Sequence, residues 1–173
     1  MVLNAILISA VVLFLSRVVF LFPFYMTIVV ETFNLSNVAA NDNYVRQSFY
    51  DATRDSLENR PLFNQNPDLI DIRIFQTGTN VRAIGSDNEF DYAHLPVNDP
   101  GRPYRQRGEP ITVEVEAWFP FEFTLFGRPV GFDVPVSFGM TTRGLRYYRD
   151  LPLDWADVYR DVDFDFGLDF MLP

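Results

Sequence analysis

From Met1 to Val30 the chain reads MVLNAILISAVVLFLSRVVFLFPFYMTIVV, apolar on every face, with Asn4, Ser9, Ser16, Arg17 and Thr27 as its polar residues and Tyr25 amphipathic. A membrane-crossing helix needs about 20 mainly apolar residues, and a buried core helix is rarely apolar all round for so long. Residues 1–30 therefore predict a membrane-inserted helix. The run lacks a basic n-region and outlasts the roughly 7–15 apolar residues of a signal peptide, so it is expected to be retained. Beyond it the spacing turns amphipathic. Val38, Val45, Phe49 and Ala52 fall near the helical period, Asp42, Arg46, Asp51, Arg54, Asp55 and Glu58 take the other faces, and Asn59-Arg60-Pro61 signals a stop. This predicts a helix over residues 31–60, continuous with the first or interrupted between Asn34 and Asn43. A chain begun near Asn41 is expected to be soluble.

The period then changes. Ile70, Ile72 and Ile74 alternate with Asp71, Arg73 and Phe75, which is strand patterning, and Thr77-Gly78-Thr79-Asn80 turns the chain toward a second strand at Val81–Ile84. Residues 86–109 are polar and rich in turn formers, and predict a surface loop. Ile111 to Thr124 is the clearest strand. Ile111, Val113, Val115, Ala117 and Phe119 face one way, Thr112, Glu114, Glu116 and Trp118 the other, and Pro120 calls for an edge or a bulge. After a turn at Phe126-Gly127-Arg128-Pro129, Phe132 to Thr142 returns as its partner. The fold class is α+β: a long N-terminal hydrophobic helix continuing as an amphipathic helix, packed by a small antiparallel β-sheet at 61–149, with an acidic, aromatic tail at 150–173.

Composition narrows the chemistry. The 173 residues hold 14 basic residues, all arginine, against 23 acidic ones, for a net charge of −9, with no cysteine and a single histidine, His94. No disulfide, thiolate nucleophile or cysteine-based metal site can form, and the charge argues against nucleic acid as a partner. Only Arg17 is charged before Glu31, and nothing basic follows the apolar run closely, which places the C-terminal domain outside the cytoplasm. Arg17 is costly in mid-membrane, by about 2.5–3.5 kcal/mol on insertion scales, and calls for snorkelling or a carboxylate on a neighbouring copy. Pro23 removes a helical hydrogen bond and should kink or loosen the helix.

The order of parts across residues 1 to about 145 resembles the pilin-like proteins. So does Gly108-Glu109-Pro110-Ile111-Thr112-Val113-Glu114-Val115 followed by Val134-Pro135-Val136-Ser137-Phe138-Gly139-Met140-Thr141-Thr142-Arg143. Among them it is similar to the Tad-type (TadE-like) pseudopilins and related proteins of bacterial conjugation or type IV filament systems. The resemblance implies a non-enzymatic structural subunit, single-pass in the cell membrane, assembling into an extracellular filament or pseudopilus. Its partners would be copies of itself or related subunits, the membrane and assembly machinery, with no cofactor, and Arg17, Pro23 and Glu31 would serve assembly. The alternatives are a solitary membrane-tethered envelope protein with a ligand- or partner-binding β domain, or an integral virion protein.

Catalytic readings fare poorly. Ser137 lacks a nucleophile-elbow context, no glycine-rich phosphate loop is present, and Glu114 with Glu116 reads as a solvated strand face. His94 reads as a loop histidine. Two arginine–aromatic clusters, Arg102, Tyr104, Arg105, Arg107 and Arg143, Arg146, Tyr147, Tyr148, Arg149, read as solvated arginines that suit an acidic protein surface. The tail supplies one, with Phe164, Phe166 and Phe170 as apolar anchors against Arg143, Arg146 and Arg149. Asp161, Asp163 and Asp165 begin like a calcium loop, but Gly167 falls one position late and Leu172 stands where a glutamate belongs. Asn34-Leu35-Ser36 is a glycosylation sequon.

Overall fold

A computed structural model of the chain describes residues 2–64, 67–96, 99–125, 128–149 and 151. The tail residues Asp161, Asp163, Asp165, Phe164, Phe166 and Phe170 lie outside them. The architecture is α+β. A single helix, α1, spans Val2–Asp42, and a second, α2, spans Gln47–Glu58. Between them Val45–Arg46 forms a two-residue strand, β1. Strands follow at Ile70–Gln76 (β2), Val81–Arg82 (β3), Ile84–Gly85 (β4), Pro110–Leu125 (β5) and Arg128–Arg143 (β6). Four of them form an antiparallel sheet in the order β3-β2-β5-β6, while β1 and β4 pair in parallel beside it.

The alternation read from the sequence sets the register. Ile70, Ile72 and Ile74 stand opposite Ala117, Val115 and Val113, and the same β5 residues face Val136, Phe138 and Met140 of β6. One face of this sheet is therefore continuous hydrocarbon. It closes on α1, where Phe24, Ile28, Leu35 and Ala39 are fully buried. Phe24 lies at the centre, stacked on Phe63 at 4.2 Å and edge-on to Phe119 at 5.2 Å. Burying a side chain of this kind contributes about 1.5–3 kcal/mol. The residues that hold the sheet are thus in the helix before Asn41. A chain begun there would lose Phe24, Ile28, Leu35 and Ala39, which cover the apolar face of the sheet, and this counts against a stable soluble domain from Asn41 onward.

Helix α1 stops at Asn43, which adopts a left-handed conformation with φ 61°. Such a residue past the last turn ends a helix, and asparagine is the commonest choice after glycine. This break resets the helical phase. Val45 is buried as expected, but Phe49 and Ala52 turn outward and Thr53 and Leu57 take the inner face of α2. The break falls at the end of the Asn34–Asn43 stretch where an interruption was one of the two expectations, and the stripe at 38–52 does not run on across it. The expected second strand also divides, because the Ala83 carbonyl receives Val45 N–H while Ala83 N–H donates to Ile74. Its two halves consequently serve different sheets. Pro120 sits where β2 has already ended, so β5 has one partner there and the ladder passes it without a bulge.

Residues 86–109 depart furthest from expectation. Arg102, Tyr104 and Gln106 are buried, so this segment is no plain surface loop. Asn43 gathers it in. Its side-chain amide donates to the Arg105 carbonyl at 2.9 Å and the Arg146 carbonyl at 2.6 Å, and its oxygen accepts from Arg146 N–H at 2.9 Å. Gly144 packs so closely here that a Cβ would come within 2.6 Å of the Asn43 amide.

Asn43→Ala should therefore cost on the order of 3 kcal/mol, since two carbonyls and an N–H lose their partner together. Asn43→Gly should cost less because glycine keeps the positive φ without penalty. Denaturant unfolding of the detergent-solubilised chain measures both. Equal stability of all three proteins would remove Asn43 from this role.

Candidate membrane and assembly surface

Along α1 the residues that face the sheet recur at helical spacing: Phe14, Leu21, Phe24, Ile28 and Leu35. Pro23 lies where free and buried halves meet. The helix continues through it, and the Thr27 hydroxyl donates to the Pro23 carbonyl at 2.9 Å. Before Pro23 the helix is uncovered on most sides, with Val19 69% and Phe22 68% exposed. It is long and apolar enough to cross a membrane, with a mean hydropathy of 2.4 and its most apolar window unburied.

The distal part of the β5–β6 hairpin extends along this free half. Phe121 meets Phe14 at 5.2 Å and stacks on Phe132 at 5.1 Å, leaving Phe132 59% exposed. Trp118 is also partly exposed, on the opposite face. Alternation places Glu122 and Asp133 on that outer face with it. Sequence reading found the strand but not this reach, because the pairing of Phe14 with Phe121 depends on where the sheet docks.

Arg17 is half-buried one turn beyond Phe14, and among the described residues no carboxylate lies within ion-pair distance of it. Glu31 is far from it, about 21 Å along the helix. It is buried, and pairs with Arg60 at 2.6 Å inside the same chain. Arg17 and Glu31 are thus kept apart within the subunit.

The two arginine clusters come together in part: Arg107, Arg143 and Arg149 are exposed as expected, whereas Arg102, Arg105 and Arg146 are drawn into the fold. Tyr104 stacks on Tyr148 at 4.2 Å, and with Tyr44, Tyr92 and Leu151 they make a second small core beside Asn43. Arg102 is buried against the Tyr104 ring and donates to the Tyr92 and Leu95 carbonyls at 3.1 and 2.6 Å. Arg146 binds Glu89 at 2.6 Å and Asp42 at 3.6 Å, and lies over Tyr148. Burial lowers the Arg105 guanidinium from its ordinary value. Gln106 completes the cluster by donating to the Tyr148 and Leu151 carbonyls at 2.8 and 3.0 Å.

Elsewhere the geometry is plain. Arg73 reaches both Glu114 at 3.6 Å and Glu116 at 3.1 Å on the solvated strand face. His94 is exposed. Ser36 of the sequon is buried within the helical C-terminal part of α1, where a glycan-transferring enzyme has no access to an extended acceptor. A groove of about 440 Å³ beside β2 is lined by Tyr50, Arg82, Asn80 and Glu114 among others.

Burial pushes the Tyr44 phenol up to about 12, and raises Tyr148 further. A phenol held protonated by the fold ionises at its ordinary value near pH 10 once unfolded. Stability is thus intact below about pH 10 and is lost as pH rises through about 12. Spectrophotometric titration should find Tyr44 and Tyr148 ionising well above pH 10, and only as the fold opens. Ionisation of both in one step near pH 10, with the fold intact, would contradict this.

No family model, no curated protein and no solved structure matches this chain.

Proposed function

We propose that this chain is a structural, pilin-like subunit, held at a membrane by α1 with its β domain outside the cytoplasm, whose copies assemble through the free faces of that helix. One observation carries the reading. The same helix is fully buried by its own sheet at Phe24, Ile28, Leu35 and Ala39, yet half or more exposed at Leu7, Ile8, Val11, Val12, Val19 and Phe22. So much contiguous apolar surface does not persist in water. A bilayer covers it before assembly, and helices of neighbouring copies cover it afterwards. Since Glu31 is held by Arg60, a counter-charge for Arg17 in an assembly comes from another group.

Negative-stain imaging of native material should show filaments or short pseudopilus-like polymers. Val19→Arg should abolish them while changing subunit stability by no more than about 0.5 kcal/mol, since Val19 touches little of its own fold. Isolated anchored chains in every preparation would overturn assembly and leave a solitary membrane-tethered module.

A further inference from the structure

Helix α1 carries a second periodic face besides the one under the sheet. Ile8, Leu15, Phe22 and Val29 recur every seven residues, and Val12, Val19, Met26 and Phe33 do the same four places on. Steps of four and three thus alternate from Ile8 to Phe33, which is the spacing of a coiled-coil seam. Every member is apolar, and all but the half-buried Val29 are exposed. The polar residues of this stretch, Arg17, Thr27 and Glu31 among them, fall elsewhere. Phe14, Leu21, Ile28 and Leu35, which face the sheet, each stand two places after Val12, Val19, Met26 or Phe33. Two residues turn an α-helix by about 200°, so the seam lies opposite the sheet. Its exposure leaves it open to a second helix.

The seam leaves roughly 800 Å² of apolar surface uncovered on each copy, the share that one partner gives to a stable interface of standard size. After Pro23 the line is also narrow. Lipid bathes every free side of a helix, and at Phe33 it would take water from the exposed amides of Asn34 and Asn37. One helix covers the line and leaves both amides wet. We infer that this helix is α1 of a second copy, packed parallel and in register as a left-handed pair crossing at about 20°, with the two sheets outermost. The inference rests on the proposed assembly through α1 and adds which face of it meets which. Two copies anchored in one membrane from the same side lie parallel, and a two-fold axis between them sets each seam residue against its own counterpart. Arg17 stands two places from both Leu15 and Val19, hence on the far side of each helix, so the pair brings no like charges together. The seam is lined by large side chains and not by glycine or alanine, which suits knobs-into-holes packing over the close right-handed crossing of small residues.

The chain has no cysteine, so introduced thiols report alone. The test uses the full chain in phosphatidylcholine vesicles, with a single cysteine in each variant. Val19→Cys, Met26→Cys and Phe33→Cys lie on the seam; Phe20→Cys, Tyr25→Cys and Asn34→Cys lie one place off it, and all six positions are exposed. Mild oxidation should link the seam variants into dimers about tenfold faster than the others, because a disulfide needs Cα atoms within about 7 Å. Val19→Cys mixed with Met26→Cys should give hardly any mixed dimer, since the two levels are about 10 Å apart along the helix. Equal rates on and off the seam overturn the inference. Faster linkage between unlike levels than between like ones also overturns it, since the copies are then staggered. If filaments form despite either result, assembly through α1 stands and only the in-register pair is lost. Chains that neither cross-link nor form filaments remove both.

Discussion

The left-handed turn at Asn43 is the constraint from which the arrangement follows. A helix as long as α1 has no internal reason to stop at Asp42, and its last carbonyls need partners. Asn43 ends it at a positive φ and spends its side chain on two other segments, the 102–108 region and the residues after β6. Its own carbonyl accepts from Gln76 at 3.3 Å, which draws in the end of β2. Around it Leu145 N–H donates to the Ala40 carbonyl at 2.7 Å, and the Tyr148 hydroxyl to the Asp42 carbonyl at 2.7 Å. Three buried amides, Asn43, Gln76 and Gln106, thus replace the regular ladder where strands end and loops begin. Each amide nitrogen donates to two carbonyls, so it serves two irregular segments at once where a hydroxyl has one hydrogen to give and a carboxylate none.

Fixing the helix end in this way fixes where the sheet lies along it. Beside Asn43 the Gly108 N–H donates to the Gly144 carbonyl and the Gly144 N–H to the Glu109 carbonyl, and from there the β5–β6 hairpin extends back toward the helix N-terminus. A strand advances about 3.3 Å per residue and a helix about 1.5 Å. The hairpin therefore overtakes more than twice as many helical residues as it spends, and this is why Phe121 meets so early a residue as Phe14.

Much of this was legible because it depends on period alone. The helical reading of the apolar run up to Val30, the alternation at Ile70–Ile74 and the inward series Ile111 to Phe119 needed only composition and the facts that helices repeat every 3.6 residues and strands every two. What was not legible depends on which groups meet in space. Arg102 and Gln106 look solvated in a polar sequence, and nothing local says that the carbonyls of Tyr92, Leu95, Tyr148 and Leu151 will surround them. The tyrosines separated by some forty positions, Tyr104 and Tyr148, gave no periodic signal. Arg146 read as a docking group for the tail, and its pairing with Asp42 and Glu89 emerges only once Asn43 has turned the chain.

Helix and sheet share one further property that neither shows alone. On the outer face of the sheet, side chains change along the strands from Asn43 as far as Trp118. Near Asn43 the hydroxyls of Thr77, Thr112 and Thr141 bond across three adjacent segments at 2.7 and 3.0 Å. Next come Arg73, Glu114 and Glu116, and beyond them Trp118 and Pro135. The inner face ends in Phe119, Phe121 and Phe132. Along α1 the same direction leads from Asp42 and Glu31 to a run where Arg17 is the single charge. Polarity therefore falls lengthwise along α1 and along the inner face of the hairpin, while the outer face regains charge at Glu122 and Asp133. An amphipathic helix buried in a soluble protein separates its polar and apolar groups across its axis. A molecule that separates them along its axis keeps one uncovered apolar end, and the inner, aromatic face of the hairpin here follows the gradient of the helix it covers.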